Sequence, residues 1–573
     1  MVALSAPLVI GDAVKDDAFG GNFLFSKDDV GDAGSYDELA NALGVDAIRY
    51  PGGSMTEYQF DMSDPDRSQA FNPETGLVED VVPISEFMQY AEAEGKSVTI
   101  VLPTRHFLTS NTDSNGDRYA DVDVVELTKF VQDVASGVYG DVTIDAFEIG
   151  NEYWGSGGMS AVEYGRVASE MTRYIDEAMD EIDGAHPDAA NIDIVVQTGT
   201  NFMHSRLSDE YGHLSNTDDI LAALQADYGI SFPAESVYSA TNMDWTDVNT
   251  RLIMNEFSDQ EAGAVDGIAT HIYTHGLDDT SQRDHSLVNI ENTWLEENPD
   301  LDIYVTEWNQ KSSLPGFDPN EDFGLKQAHE VINIMEEFAE HNVDAAHAWP
   351  LAQNTNNAYS PGYDFDFLTP SGAMFKMMND ELQGTRLLDF SGDGDKETDV
   401  DLGGATLHAF GSEDKLVLYV ASTSDNSATH QVDVNALFAG AGSVEVSYLG
   451  VKDGQAPGSR LSEAEVEQAT QNEINNDIFQ NGVFQADLGP HEIMQIVVET
   501  PSWTSELQAF WDGSSEPAPG LDDIIPTTPN PEPEPDPDNE DAQGSFDDAG
   551  GMGGGVEMIL LGLLPLLGLL GGF

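Results

Sequence analysis

Ile144-Asp-Ala-Phe-Glu-Ile-Gly-Asn-Glu-Tyr-Trp154 is a short apolar strand that runs into an asparagine, a glutamate and two aromatic residues. The pattern returns at Ile303-Tyr-Val-Thr-Glu-Trp-Asn-Gln310, again an apolar run with a glutamate at its end. Six more such runs accompany the pair: Gly21-Asn-Phe-Leu-Phe25, Ala47-Ile-Arg-Tyr50, Val98-Thr-Ile-Val-Leu102, Ile192-Asp-Ile-Val-Val196, Gly267-Ile-Ala-Thr-His-Ile272 and Ala345-Ala-His-Ala-Trp349. Stretches with helical spacing lie between them, at 35–43, 84–94, 122–136, 160–182 and 323–340. The fourth opens on Ser160-Ala-Val-Glu163, a capping box whose side chains satisfy the free amides of the first turn. Eight strand–helix units of this size make an α/β fold, expected to be a (β/α)8 TIM barrel over 11–383. An open doubly wound sheet is the second choice.

Past residue 384 the rhythm changes to strands with turn-rich connections: Leu416–Ala421, Gln431–Val434, Ser443–Tyr448 and Ile493–Val498. These predict a C-terminal β-sandwich over 384–500, with one helix near 461–471. Pro7-Leu-Val-Ile10, within an N-terminal segment 4–10, is a candidate extra strand for it. Residues 501–555 read as a disordered acidic, Pro/Gly-rich linker that includes Pro531-Glu-Pro-Glu-Pro-Asp-Pro537. An apolar C-terminal tail, 556–573, closes the chain. Its run is shorter than the ~20 residues of a spanning helix, contains Pro565 and has no basic flank. It reads as an uncleaved export signal, as a weak membrane or cell-surface anchor, or as an apolar tail packed on the protein. The N-terminus has neither a basic n-region nor a clear cleavage site. The expected location is extracellular or at the cell surface, reached without a recognisable N-terminal signal peptide.

Lys and Arg number 21 against 105 Asp and Glu, a formal net charge of −84. Such a surface repels itself at low ionic strength and suits a salty medium. Nucleic acid is excluded as a partner, because phosphate binding needs cationic patches that this composition lacks. There is no cysteine, which removes disulfides, thiolate metal sites and cysteine nucleophiles.

In a barrel of this type the chemistry sits at the C-terminal ends of the strands. Glu152 and Glu307 follow the fourth and seventh strands, which face one another closely enough for two carboxyl groups to flank one bond. Paired carboxylates of this kind suit glycoside cleavage, one protonating the leaving oxygen and the other attacking the anomeric carbon.

Asn151-Glu152, Glu307 within Thr306-Glu-Trp-Asn309, and Arg49-Tyr-Pro-Gly-Gly53 resemble the signature of the clan A glycoside hydrolases, the retaining (β/α)8 superfamily. The likeness covers about residues 15–500 and is nearest to the α-L-arabinofuranosidase and β-xylosidase-like families. It implies a retaining hydrolase of oligo- or polysaccharides, with Glu152 as acid/base and Glu307 as nucleophile and no required cofactor. It further implies that Asn151 binds the sugar 2-hydroxyl and that Arg49 keeps Glu307 ionised, while Glu152 keeps a raised pKa. His271 and Tyr273, two residues apart at the end of the sixth strand, would orient the nucleophile or the sugar. Trp349 would be an aromatic platform for the sugar, with Trp308 a further aromatic contact.

Other residues carry less. Glu57, Glu86 and Glu256 read as solvated surface acids, and Glu148 as a structural carboxylate facing into the barrel and bound to arginine or backbone. Asn111-Thr-Asp-Ser-Asn-Gly-Asp-Arg-Tyr-Ala-Asp121 resembles a calcium loop, with a structural calcium expected near Asp113, Asn115 and Asp117. Val122 stands where that loop wants a glutamate. Asp393-Gly-Asp395 is a weaker candidate of the same kind. Two other functions compete: a carbohydrate-binding barrel without catalysis, and a metal-dependent sugar isomerase drawing on His106, His271 and His347.

Overall fold

The computed structural model describes residues 1–31, 35–73, 75–277, 279–390 and 398–513. Its centre is a closed barrel of eight parallel strands: β1 (Gly20–Asn22), β2 (Ala47–Tyr50), β3 (Ser97–Leu102), β4 (Ile144–Ile149), β5 (Asp193–Gln197), β6 (Gly267–Thr274), β7 (Asp302–Gln310) and β8 (Ala345–Ala348). Each strand pairs with the next in chain order, and β8 closes on β1 through His347 opposite Gly20. The open doubly wound sheet is thereby excluded.

Alternation along the strands sorts the core. Ile48, Ile100, Phe147, Val196, Ile268 and Val305 face outward into the apolar layer shared with the helices. Inside, Ala146, Val195, Ala269, Tyr304 and Ala345 form a separate small cluster. The small residues leave room for Tyr304, whose hydroxyl donates to Asp193 at 2.6 Å. The helices fall close to their expected places; the longest, Ala161–Asp183, is capped by Ser160 and Glu163 reciprocally.

One irregularity positions the chemistry. Thr270 pairs with Val305, but the next pair is His271 with Glu307, so Thr306 is an extra residue in β7. Thr306 and Glu307 therefore both turn inward, where strict alternation would send one of them outward. The strand runs on past Glu307 to Gln310, so Glu307 lies within it.

The C-terminal region is sheet-rich. Leu8–Ile10, Arg386–Asp389, Ala405–Gly411, Lys415–Ser422, Ile493–Glu499, Ser443–Val451 and Ala464–Gln468 lie side by side, antiparallel, in one sheet. A second sheet holds Val2–Ala3, Ala428–Asp433, Val483–Leu488 and Phe479–Gln480. Leu388, Leu407, Leu418 and Ile496 from the first share an apolar cluster with Val432 and Phe484 from the second. The helix expected near 461–471 is instead the edge strand Ala464–Gln468, where main-chain pairing overrides the helical preference of Ala and Glu. Helical turns begin only at Gln471.

The expected linker also starts too early. Trp503 bridges to Phe438, and Ser505–Trp511 is a helix with Leu507 buried, so 501–513 belong to the folded part. The rest of the linker, the apolar tail and Asp393-Gly-Asp395 lie outside the described residues. Among the described residues no helix is long and apolar enough to cross a membrane.

Candidate active site

Above the alanine layer the barrel interior turns polar, and Arg49 is its hub. It is fully buried on β2. Nε and Nη2 donate to the two oxygens of Glu148 at 2.6 and 3.0 Å, a bidentate pair. Nη1 donates to Asn22 Oδ1 at 2.9 Å and to Glu307 Oε1 at 3.0 Å, and Nη2 also reaches Asn151 Oδ1 at 2.8 Å. Burial works against the cation, but the charges of Glu148 and Glu307 outweigh it and raise the Arg49 pKa. Glu148 has the structural role expected of it, and it accepts a further bond from Thr306 Oγ1 at 3.0 Å.

Glu307 is held at both oxygens. Arg49 takes Oε1, and the Tyr273 hydroxyl donates to Oε2 at 2.8 Å. Burial first, and then the charge of Glu307, push the Tyr273 phenol well above its ordinary pKa, so it stays a donor. His271 stands between the two glutamates, its Nδ1 3.4 Å from Glu152 Oε1 and 3.6 Å from Glu307 Oε2. Burial lowers its pKa, but Glu307 and Glu152 together more than offset that and raise it.

Glu152 leaves β4 through Gly150 (φ +81°) and itself has φ +42°. A non-glycine residue there is strained and persists only where its surroundings hold it. Glu152 and Glu307 approach across the mouth: one ligand atom each of Glu152, His271 and Glu307 lie within 4.8 Å of one another. Glu152 is the more open, its side chain 24 % accessible against 5 % for Glu307. One carboxylate gripped by donors and a second, freer one facing it across a short gap can attack and protonate the two ends of one bond.

No protein-family model and no curated protein matches the chain. Solved structures do. The GH51 arabinofuranosidase from Xanthomonas axonopodis pv. citri has 16% identity and a TM-score of 0.52, over 86% of this chain and 98% of its own. The α-L-arabinofuranosidase from Thermotoga maritima gives 16% and 0.54, over 87% and 99%. A Paenibacillus polymyxa xyloglucanase of GH family 44 gives 11% and 0.52, over 87% and 100%. The chain has the fold of the clan A glycoside hydrolases.

In this barrel the two tryptophans lie elsewhere than expected. Trp308 is fully buried among Phe338, Tyr359 and Phe375, on the outer side of the barrel. The bulge at Thr306 explains it, since Glu307 takes the inward place and the next side chain goes out. Trp349 is 2 % exposed and lies against Gly52-Gly53, where a Cβ on Gly53 would come 2.5 Å from its ring. It forms a wall and leaves little ring face for a sugar to stack on. The aromatic at the rim is Trp154, half-buried and edge-on to His271 at 5.9 Å. Its place directly after Asn151-Glu152-Tyr153 is the signal in the sequence that pointed to it.

Asn22 was also missed, being one polar residue in a strand read as apolar. Glu57, read as solvated, is buried and bonded to the ends of two strands. Glu256 is half-buried against Arg166, while Glu86 is exposed.

In the calcium-like loop the oxygens are engaged otherwise. Asp113 Oδ1 accepts the backbone N–H groups of Asn115, Gly116 and Asp117, and its Oδ2 takes Arg166 Nη2 at 2.6 Å. Asp117 accepts from Ser160, and Asn115 donates to the Asp227 carbonyl. The same Arg166 guanidinium also donates to the Asp117 and Arg118 carbonyls. The histidines do not gather either: His106 is exposed, and His347 is buried beneath Arg49, its pKa lowered to about 3 by burial and by that cation. Among the described residues, the side chains close enough to share a metal ion are Glu152, His271 and Glu307.

Proposed function

We propose that the protein is a retaining glycoside hydrolase working by double displacement, with Glu307 as nucleophile and Glu152 as acid/base. The supporting observation is the approach of Glu152 and Glu307 to within 4.8 Å, with Glu307 bonded at both oxygens by Arg49 and Tyr273. Retaining enzymes hold the two carboxyl groups about 5–5.5 Å apart, whereas inverting ones leave roughly 6.5–9.5 Å for a water. In the first step Glu307 attacks the anomeric carbon, the glycosidic C–O bond breaks, and Glu152 gives its proton to the leaving oxygen. In the second, Glu152 takes a proton from water, the hydroxide attacks the same carbon, and Glu307 departs as carboxylate.

The substrate class is neutral oligo- or polysaccharide, since a chain of net charge −84 is a poor host for polyanions. Aryl α-L-arabinofuranosides, β-D-xylosides and β-D-glucosides are the first to assay. Glu152→Ala should lose far more activity on poor leaving groups than on activated aryl glycosides, with azide restoring part of it. Equal loss on both, without rescue, would exclude this role; no turnover of any glycoside by the intact protein would leave a carbohydrate-binding barrel.

The same reading makes the C-terminal sheets a β-sandwich module and the enzyme an exported, halotolerant one that works outside the cell. Deleting 514–573 should leave catalysis intact and change where the protein is found.

A further inference from the structure

Resting on the hydrolase reading, we propose that Glu57 is a positioning residue for the acid/base: a buried carboxylate that clasps the strand ends carrying Asn151-Glu152. Glu57 lies on the short helix Met55–Gln59, just after Arg49-Tyr-Pro-Gly-Gly53, and is 1 % exposed. Oε1 accepts the Asn151 N–H at 2.9 Å and the Thr104 hydroxyl at 3.0 Å. Oε2 accepts the backbone N–H groups of Thr104 at 2.9 Å and Arg105 at 2.8 Å. One side chain following β2 thus ties the ends of β3 and β4 together.

All four partners are donors and none is a cation. Three of the four are backbone N–H groups that can only donate, so both oxygens accept. Burial raises the Glu57 pKa, and the four donors counter that rise. Placing a carboxylate in the interior on dipoles alone is costly, so the contact is hard to explain as incidental packing.

The clasp has a second jaw. Arg105, whose N–H Glu57 holds, donates from Nη1 to the Ser156 carbonyl and stacks over the Tyr58 ring. Ser156 Oγ donates to the Asn151 carbonyl at 2.7 Å. Asn151 is gripped at its N–H by Glu57 and at its C=O by Ser156, and the strained Glu152 follows directly. Loosening either grip lets Glu152 relax away from φ +42°.

The experiment uses Glu57→Gln in the full chain. The amide keeps the shape but turns one acceptor into an NH2 facing an N–H donor. Turnover of a glycoside with a poor leaving group should fall roughly 30-fold or more, while a dinitrophenyl glycoside changes about threefold or less and KM barely moves. Thr104→Val, which removes a single donor, should give a milder version of the same split and covers the case in which Glu57→Gln does not fold. Amide hydrogen exchange should quicken across 150–158 and 104–105 and stay unchanged in the rest of the barrel. Equal losses on both substrates, exchange quickened throughout the barrel, or no change at all would overturn the proposal. If the unaltered protein turns over no glycoside, the hydrolase reading fails, and the exchange pattern alone still decides whether Glu57 is a local clasp.

Discussion

Arg49 Nη1 lies 3.0 Å from Glu307 Oε1 on a guanidinium whose other edge is closed by Glu148 at 2.6 and 3.0 Å. With no exposed surface it cannot turn away, so the position of Glu307 is fixed by a partner locked elsewhere. A lysine offers a point charge without the planar fork. Arg49→Lys should therefore lower kcat/KM about 100-fold or more through misplacement of Glu307. It should also cost about 3–5 kcal/mol in stability, because Glu148 is left buried and poorly paired. Steady-state kinetics and urea unfolding check both; a variant with near-normal turnover would show that Glu307 is held by Tyr273 alone.

Trp308 and Glu307 are neighbours in sequence and strangers in space. Trp308→Ala should destabilise by about 3–5 kcal/mol, as loss of a large buried aromatic does. KM for the surviving folded protein should stay the same. A raised KM with unchanged melting temperature would mean that the ring reaches the substrate.

The barrel was legible because its strands are apolar runs that alternate with helical stretches, and β2 and β4 fall where the sequence placed them. The two glutamates were legible because each follows such a run. The orientation of Trp308 was not, since a bulge at Thr306 is set by pairing with β6 and leaves no mark in β7 itself. Glu57 was misread for a related reason. Its donors are backbone groups of Thr104, Arg105 and Asn151, far away in sequence, and backbone donors have no residue signature. At the calcium-like loop the partner of Asp113 is a residue outside the loop, Arg166 on a neighbouring helix, which the loop's own sequence does not announce.

Acid should weaken the barrel through His347. Unfolded, its imidazole takes a proton below about 6.5; folded, burial and Arg49 hold its pKa down to about 3. Between those values the unfolded chain binds more protons, so stability falls as pH falls through that window. His347→Gln should flatten this part of the stability–pH curve relative to the unaltered protein. Parallel curves for the two proteins would mean that His347 titrates normally.

Carboxylate repulsion from 105 acidic against 21 basic residues should make the fold weak in dilute buffer. The Debye length drops from ~30 Å at 0.01 M to ~3 Å at 1 M, so the melting temperature should climb with NaCl over that range. A flat or falling curve would remove salt adaptation from the account.

The most direct test of the central claim is the anomeric configuration of the first sugar released, followed by proton NMR before mutarotation. Double displacement at Glu307 requires the product to appear with the configuration of the substrate. Release of the opposite anomer would contradict the roles given to Glu152 and Glu307.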